Sequence, residues 1–132
     1  MFTRHLSIAA TLFALAAVAA PACADTPAAM LALYGASAGS APAAQRGQQF
    51  FTRTHGHEWS CSSCHGELPV QPGRHAVTGK VIGTMAPAVN PERFTDPAKT
   101  EKWFRRNCND VIGRECSAAE KADVIGWLRT LK

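Results

Sequence analysis

One pentapeptide, Cys61-Ser62-Ser63-Cys64-His65, constrains this chain more than any other feature. Two cysteines two residues apart, followed at once by a histidine, form the pattern by which a chain attaches a c-type haem. The two sulfurs bond to the porphyrin edge, and the imidazole reaches the iron from one face. CxxC also serves redox dithiols and half-sites for zinc. A redox dithiol of the thioredoxin kind needs βαβ pattern around it, and none is visible. A zinc site needs a second CxxC or a His pair nearby, and Cys108 and Cys116 stand at an unusual spacing for that. The motif therefore predicts one covalent haem c, with Cys61, Cys64 and His65 as the residues that hold it.

The cysteine count bears on where such a chain works. Residues 1–24 open with Arg4, continue through an apolar run from Ile8 to Ala20, and end in Ala22-Cys23-Ala24. That is the layout of a secretory signal peptide with an A-x-A cleavage site before Asp25. The run is short for a membrane span, which needs about 20 apolar residues. Pro21 sits badly for lipidation at Cys23. Export places residues 25–132 in the periplasm as one cytochrome c domain. It removes one of the five cysteines. Two of the remaining four hold the haem. In an oxidising compartment the other two, Cys108 and Cys116, most simply form a disulfide. Closing so short a loop is worth about 2.5 kcal/mol on the chain-entropy model. The alternative is two free buried thiols.

A domain this small has little core of its own. A haem in its middle supplies much of the missing apolar contact. Without Arg4 the charge is about +3, and two haem propionates would bring it near +1. The basic residues are scattered rather than blocked, which argues against nucleic acid as a partner.

The pattern along the chain is all-α, with about four helices around the haem. Thr26 and Pro27 suit the start of a helix over 26–36, followed by a small-residue linker, 35–43. A second helix runs from about Pro42 to Arg53, and 54–60 form a loop. From Gly66 to Asn90 the chain is rich in Gly and Pro and reads as loop over a haem edge, without convincing strands. A third helix starts at a cap, Asp96, and ends near 107–110. A fourth begins with the capping box Ser117-Ala118-Ala119-Glu120 and turns Val124, Ile125, Leu128 and Leu131 to one side. This layout resembles a class I cytochrome c fold. In that fold Gly47 and Phe51 would meet Trp127 near Gly126, glycine permitting close backbone approach.

The second axial face of the iron has several candidates. Met85, in Gly83-Thr84-Met85-Ala86-Pro87, is the ordinary one and would give a low-spin iron of raised potential. Otherwise a loop methionine is a flexible filler. His75, or His55 and His57, would give a bis-histidine site, although surface positions suit them better. Asn107 is four residues from Trp103 and shares its helix face, so the two could form a distal wall. An Asn near a helix end is also a common cap.

The segments that carry a family resemblance are CSSCHG at 61–66, TGK at 78–80, AP at 86–87 and PERFTD at 91–96, then EKW at 101–103, RNCN at 106–109, VIGREC at 111–116 and EKAD at 120–123. Through them the chain resembles the small oxygen-binding c-type cytochromes known as sphaeroides heme protein. The resemblance is strongest from Cys61 onward. It implies that Asn107 ligates oxidised iron opposite His65 and that Cys108 pairs with Cys116. It also implies redox partnership with other cytochromes, among them a dihaem cytochrome c and a membrane b-type cytochrome. Met85 stands where at least one member of the family has an apolar residue that does not ligate.

Three functions follow. The first is electron transfer in which Asn107 leaves the iron on reduction and O2, NO or CO binds at the position it opens. The second is a plain carrier with His65 and Met85 fixed on both faces. The third is an enzyme of NO dioxygenation or peroxidatic type, for which no distal His–Arg pair stands at readable spacing.

Overall fold

The computed structural model describes residues 26–132, and the leader expected over 1–24 lies outside them. Five helices and one short β ladder make up the fold. Helix α1, Pro27–Ala38, starts where Thr26 accepts a hydrogen bond from the Ala29 amide. It runs two residues past the expected end. The run Ala36-Ser37-Ala38 sustains helix, and Gly39 stops it in the left-handed region at φ 62°. Helix α2, Ala44–Thr52, has no capping side chain of its own. Its start is held from across the fold, because the Ala43 amide donates to the Asp123 carboxylate at 2.6 Å.

The pattern missed helix α3, Cys61–His65. Ser60 and Ser63 form a reciprocal capping box around its single turn. Beyond it the chain closes a two-residue antiparallel ladder, β1 (Gly73–Arg74) on β2 (Val81–Ile82). The loop reading of 66–90 is corrected to that extent. The tight connection is held by the His75 ring, whose Nδ1 accepts from the Val77 and Thr78 amides.

Helix α4, Pro97–Ile112, begins at Asp96, which accepts from the Lys99 amide at 2.9 Å. It continues past the expected end at 107–110 to Gly113, whose φ of 76° makes it the stop. Asn107 therefore lies within the helix and is not its cap. Helix α5, Ala118–Leu128, carries the Ser117–Glu120 capping box, and Arg114 adds two hydrogen bonds to the Glu120 carboxylate.

Helices α1 and α2 pack closely on α5, whereas α4 approaches none of the other elements so closely. At the α2–α5 crossing a Cβ on Gly47 would overlap the Asp123 carbonyl. The glycine is needed there because two backbones touch. Phe51 meets Trp127 with ring centroids 5.0 Å apart. Gly126 plays no part in that approach. It faces α1, and a Cβ there would make only ordinary contact with Leu31 and Pro42. Met30, Phe51, Ile125 and Leu128 fill the centre of the core.

Helix α4 is tethered instead. Lys121 on α5 is only 7 % exposed, and its Nζ donates to both oxygens of Glu101 at 2.6 and 2.8 Å. Tyr34 on α1 donates to the same carboxylate at 2.7 Å. Toward the far end of α4, a disulfide joins Cys108 to Cys116, with their Cα atoms 5.7 Å apart. Among the described residues no helix is long and apolar enough to cross a membrane.

Two glycines on adjacent helices should thus respond with opposite sign. Gly47→Ala forces backbones apart and should lower unfolding stability by about 1–3 kcal/mol. Gly126→Ala has room and should raise it by about 0.5–1 kcal/mol through helix propensity. Denaturant midpoints of the two variants check both.

A pH test follows from Glu120. Hydrogen bonds from Arg114 hold its carboxyl down at about 2, against some opposing burial. A carboxyl depressed on folding stabilises fully above its unfolded pKa and loses that contribution as pH falls through the folded value. Glu120→Gln should therefore cost up to about 1 kcal/mol at neutral pH, given the half-exposed Arg114. The difference should shrink from about pH 4.5 downward and disappear near pH 2. Urea unfolding across that range measures it.

Candidate haem site

One turn of helix suffices to present the attachment motif. On α3, Cys61 lies three residues before Cys64 and four before His65, so all three project from one side. They line one wall of a cavity of about 700 Å³. Phe51 on α2 backs that wall, with its ring centroid 6.2 Å from that of His65. A close contact from the other side fixes the turn as well. A Cβ on Gly73 would overlap the Cys64 carbonyl oxygen, so β1 lies directly against α3. The Ala76 amide also points at the Cys64 sulfur, 3.3 Å away. Nothing in the sequence marked Gly73 as different from the other glycines of its loop.

The environment sets the chemical state of these groups. Burial, with some help from the nearby Arg93 guanidinium, pushes the His65 imidazole down to about 4. At neutral pH the ring is neutral, which is the form that offers a lone pair to a metal. Burial likewise pushes the Cys61 thiol up to about 11. Neither Cys61 nor Cys64 is in a disulfide.

The rest of the lining comes mostly from α4 and the loop before it. Trp103, Phe104, Asn107 and Val111 contribute from α4, and Met85 and Arg93 from the loop. Trp103 and Asn107 thus share the cavity wall. Asn109, two residues on, is engaged elsewhere, donating to the Arg105 carbonyl at 2.8 Å. The Asn107 carboxamide makes no hydrogen bond among the described residues. Met85 packs on the edge of the core, and its amide is tied to the Pro69 carbonyl at 3.1 Å. Both candidates for the second axial face therefore reach the cavity.

The histidines divide differently. His75 reaches the cavity rim. His55 and His57 do not line the cavity. His55 bonds the Phe50 carbonyl through Nε2 at 2.7 Å, and its ring packs on Phe50. The His57 ring lies beside Gly113. The zinc alternative fails on the same geometry. Cys108 and Cys116 bond to each other, and among the described residues no three His, Cys, Asp or Glu side chains gather around a metal position.

A cavity of this size lies within the range of cofactor pockets. Two sulfurs and a neutral imidazole line the same cavity as a set of aromatic and aliphatic groups. The residues fit a haem. Comparison with known proteins decides the family. The chain is 47% identical to the cytochrome c-type protein SHP of Cereibacter sphaeroides, over 96% of its own length and 97% of the relative's. The chain belongs to the SHP family of c-type cytochromes. Its fold agrees with the structure of oxidised SHP, an oxygen-binding cytochrome c, at a TM-score of 0.74 and 45% identity, covering 80% of this chain and 96% of that one. Residues 37–128 match the family described as a domain of unknown function, DUF1924.

A second relative is cytochrome c'' of Methylophilus methylotrophus, 45% identical over 68% of this chain and 65% of that protein. Its solution structure, which gives insight into haem-ligand detachment in that protein, matches at a TM-score of 0.67 and 38% identity, with 79% of this chain and 92% of that one covered.

The network that places the distal wall was not legible beforehand. Burial pushes the Glu101 carboxyl up, but hydrogen bonds from Lys121 and Tyr34 outweigh it and hold the group below its usual range. Burial and the Glu101 contact push the Tyr34 hydroxyl well up in turn. The only hint in the sequence is that Lys121 interrupts an otherwise apolar face of α5.

Proposed function

We propose that this chain is an exported, periplasmic monohaem cytochrome c that couples electron transfer to the opening of a coordination position. Cys61 and Cys64 would hold the haem covalently, and His65 would ligate its iron. The bound haem supplies the redox electron and the site at which O2, NO or CO can bind. Asn107 is the residue that would hold the iron from the other side in the oxidised state. The observation that carries this reading is the place of Asn107. It lies within α4, on the cavity wall beside Trp103, and among the described residues no cap or hydrogen bond employs its carboxamide.

The amide oxygen is a hard, neutral donor. Such a donor would hold ferric iron moderately and ferrous iron poorly, so reduction would favour its release. The freed side chain keeps both acceptor and donors and can offer an N–H to a ligand in the pocket. Detachment of a haem ligand in the related cytochrome c'' and oxygen binding by SHP support the same reading. Other cytochromes are the expected redox partners, a dihaem cytochrome c and a membrane b-type cytochrome among them.

Met85 carries the second reading, since it reaches the same cavity. With sulfur on the iron in both valences the chain would be a plain carrier. Paired substitutions separate the two. Asn107→Ala should give a more open, higher-spin ferric spectrum and leave CO binding to the reduced protein fast. Met85→Ala should leave the ferric spectrum unchanged. An unchanged spectrum in Asn107→Ala together with a changed one in Met85→Ala would assign the ligand to Met85.

A further inference from the structure

The loop between the ladder and α4 carries a cation that the axial chemistry does not use. Arg93 is half-buried and lines the cavity. Its Nε donates to the Thr84 carbonyl at 3.0 Å, and one Nη donates to the Gly83 carbonyl at 3.4 Å. Asn90 donates to the same Thr84 carbonyl at 3.0 Å. These bonds fix the guanidinium in place but leave its charge unmatched. Among the described residues no carboxylate pairs with it. Among the described residues, the buried charges elsewhere do have partners. Lys121 has Glu101, and Asp123 has Arg46.

A guanidinium taken partly out of water is costly unless an anion meets it. Its fork geometry matches a carboxylate, which it can grip with two parallel N–H bonds. The haem edge opposite the two sulfur attachments carries two carboxylates. We propose that Arg93 is the carboxylate-binding residue of the cavity and takes one haem propionate as its ion-pair partner. The pairing ties the loop that carries Met85 to the cofactor. The inference rests on the haem reading of the cavity.

Other charged groups share the walls. Lys80 and Lys99 are exposed, and Arg106 is paired loosely with Asp110 on its own helix. Among the acids, Glu92 is exposed and Asp96 caps α4. His75 accepts two backbone amides, and His65 faces the iron. Only Arg93 combines burial, fixed orientation and the lack of an anion, so it is the group whose removal a propionate should register.

The test uses carboxyl-labelled haem in the holoprotein, followed by 13C NMR against pH. In the native protein one propionate should titrate at least about one pH unit below the other, as an opposite charge in contact requires. Arg93→Gln should bring that carboxyl back into the range of its twin. Arg93→Lys should keep part of the separation. In Arg93→Gln the midpoint potential should also fall as pH rises through the carboxylate range, because the unpaired anion favours ferric iron. A residue that only staples the loop would change stability and leave both curves in place.

Two propionates titrating together in the native holoprotein, or unchanged curves in Arg93→Gln, overturn the proposal. The native measurement stands by itself where the Gln variant does not mature. A chain that carries no covalent haem fails earlier and refutes the cofactor reading instead.

Discussion

The close crossing of α2 over α5 governs what the rest of the molecule can do. Gly47 lets one helix backbone rest on the Asp123 carbonyl of the other. The Asp123 side chain then reaches the Ala43 amide and Arg46. Packing and hydrogen bonding act on the same few residues, so the angle of α2 is set twice. Phe50 and Phe51 follow from that angle. Phe51 lies between Trp127 and His65 and passes the position of the core to the turn that carries the attachment motif.

From that fixed side the cavity opens toward a wall with looser connections. Helix α4 is held near its start by Glu101, through Lys121 and Tyr34, and near its end by the Cys108–Cys116 disulfide. The cavity-facing residues Trp103, Phe104 and Asn107 lie between these two points. Such a layout suits a fold whose cofactor replaces protein packing at its centre. The helix needs no close neighbour of its own, because its inner face is directed at the cofactor space.

Much of this was legible in the sequence where local chemistry decides. Caps at Thr26, Asp96 and Ser117 marked helix starts because a side-chain oxygen next to free amides is a local event. The Phe51–Trp127 contact was legible from the order of residues around CSSCH, whereas the partner of Gly47, expected near Gly126, is the Asp123 backbone one turn earlier. Helix ends were misplaced at α1 and α4, since the left-handed stops at Gly39 and Gly113 could not be told from other glycines. The helix at Cys61–His65 was hidden because its cap uses serine at both ends of the box. Gly73, Glu101 and Arg93 act through partners at least nine residues away in sequence, so no window of the chain displays them.

The two-point hold on α4 bears directly on the proposed ligand. A side chain that must bind ferric iron and leave ferrous iron needs a carrier that does not follow it. If the helix moved with the ligand, breaking the bond would also cost the Glu101 network, in which a buried lysine would lose its anion. With both ends of the segment held, release of the proposed ligand would reduce to rotation of one short side chain about its own torsions. The proposed difference in bond strength between the two valences would then have only a rotamer change to overcome. On this reading the buried ion pair and the disulfide keep the switch small, which is what allows a neutral and moderate ligand to operate it.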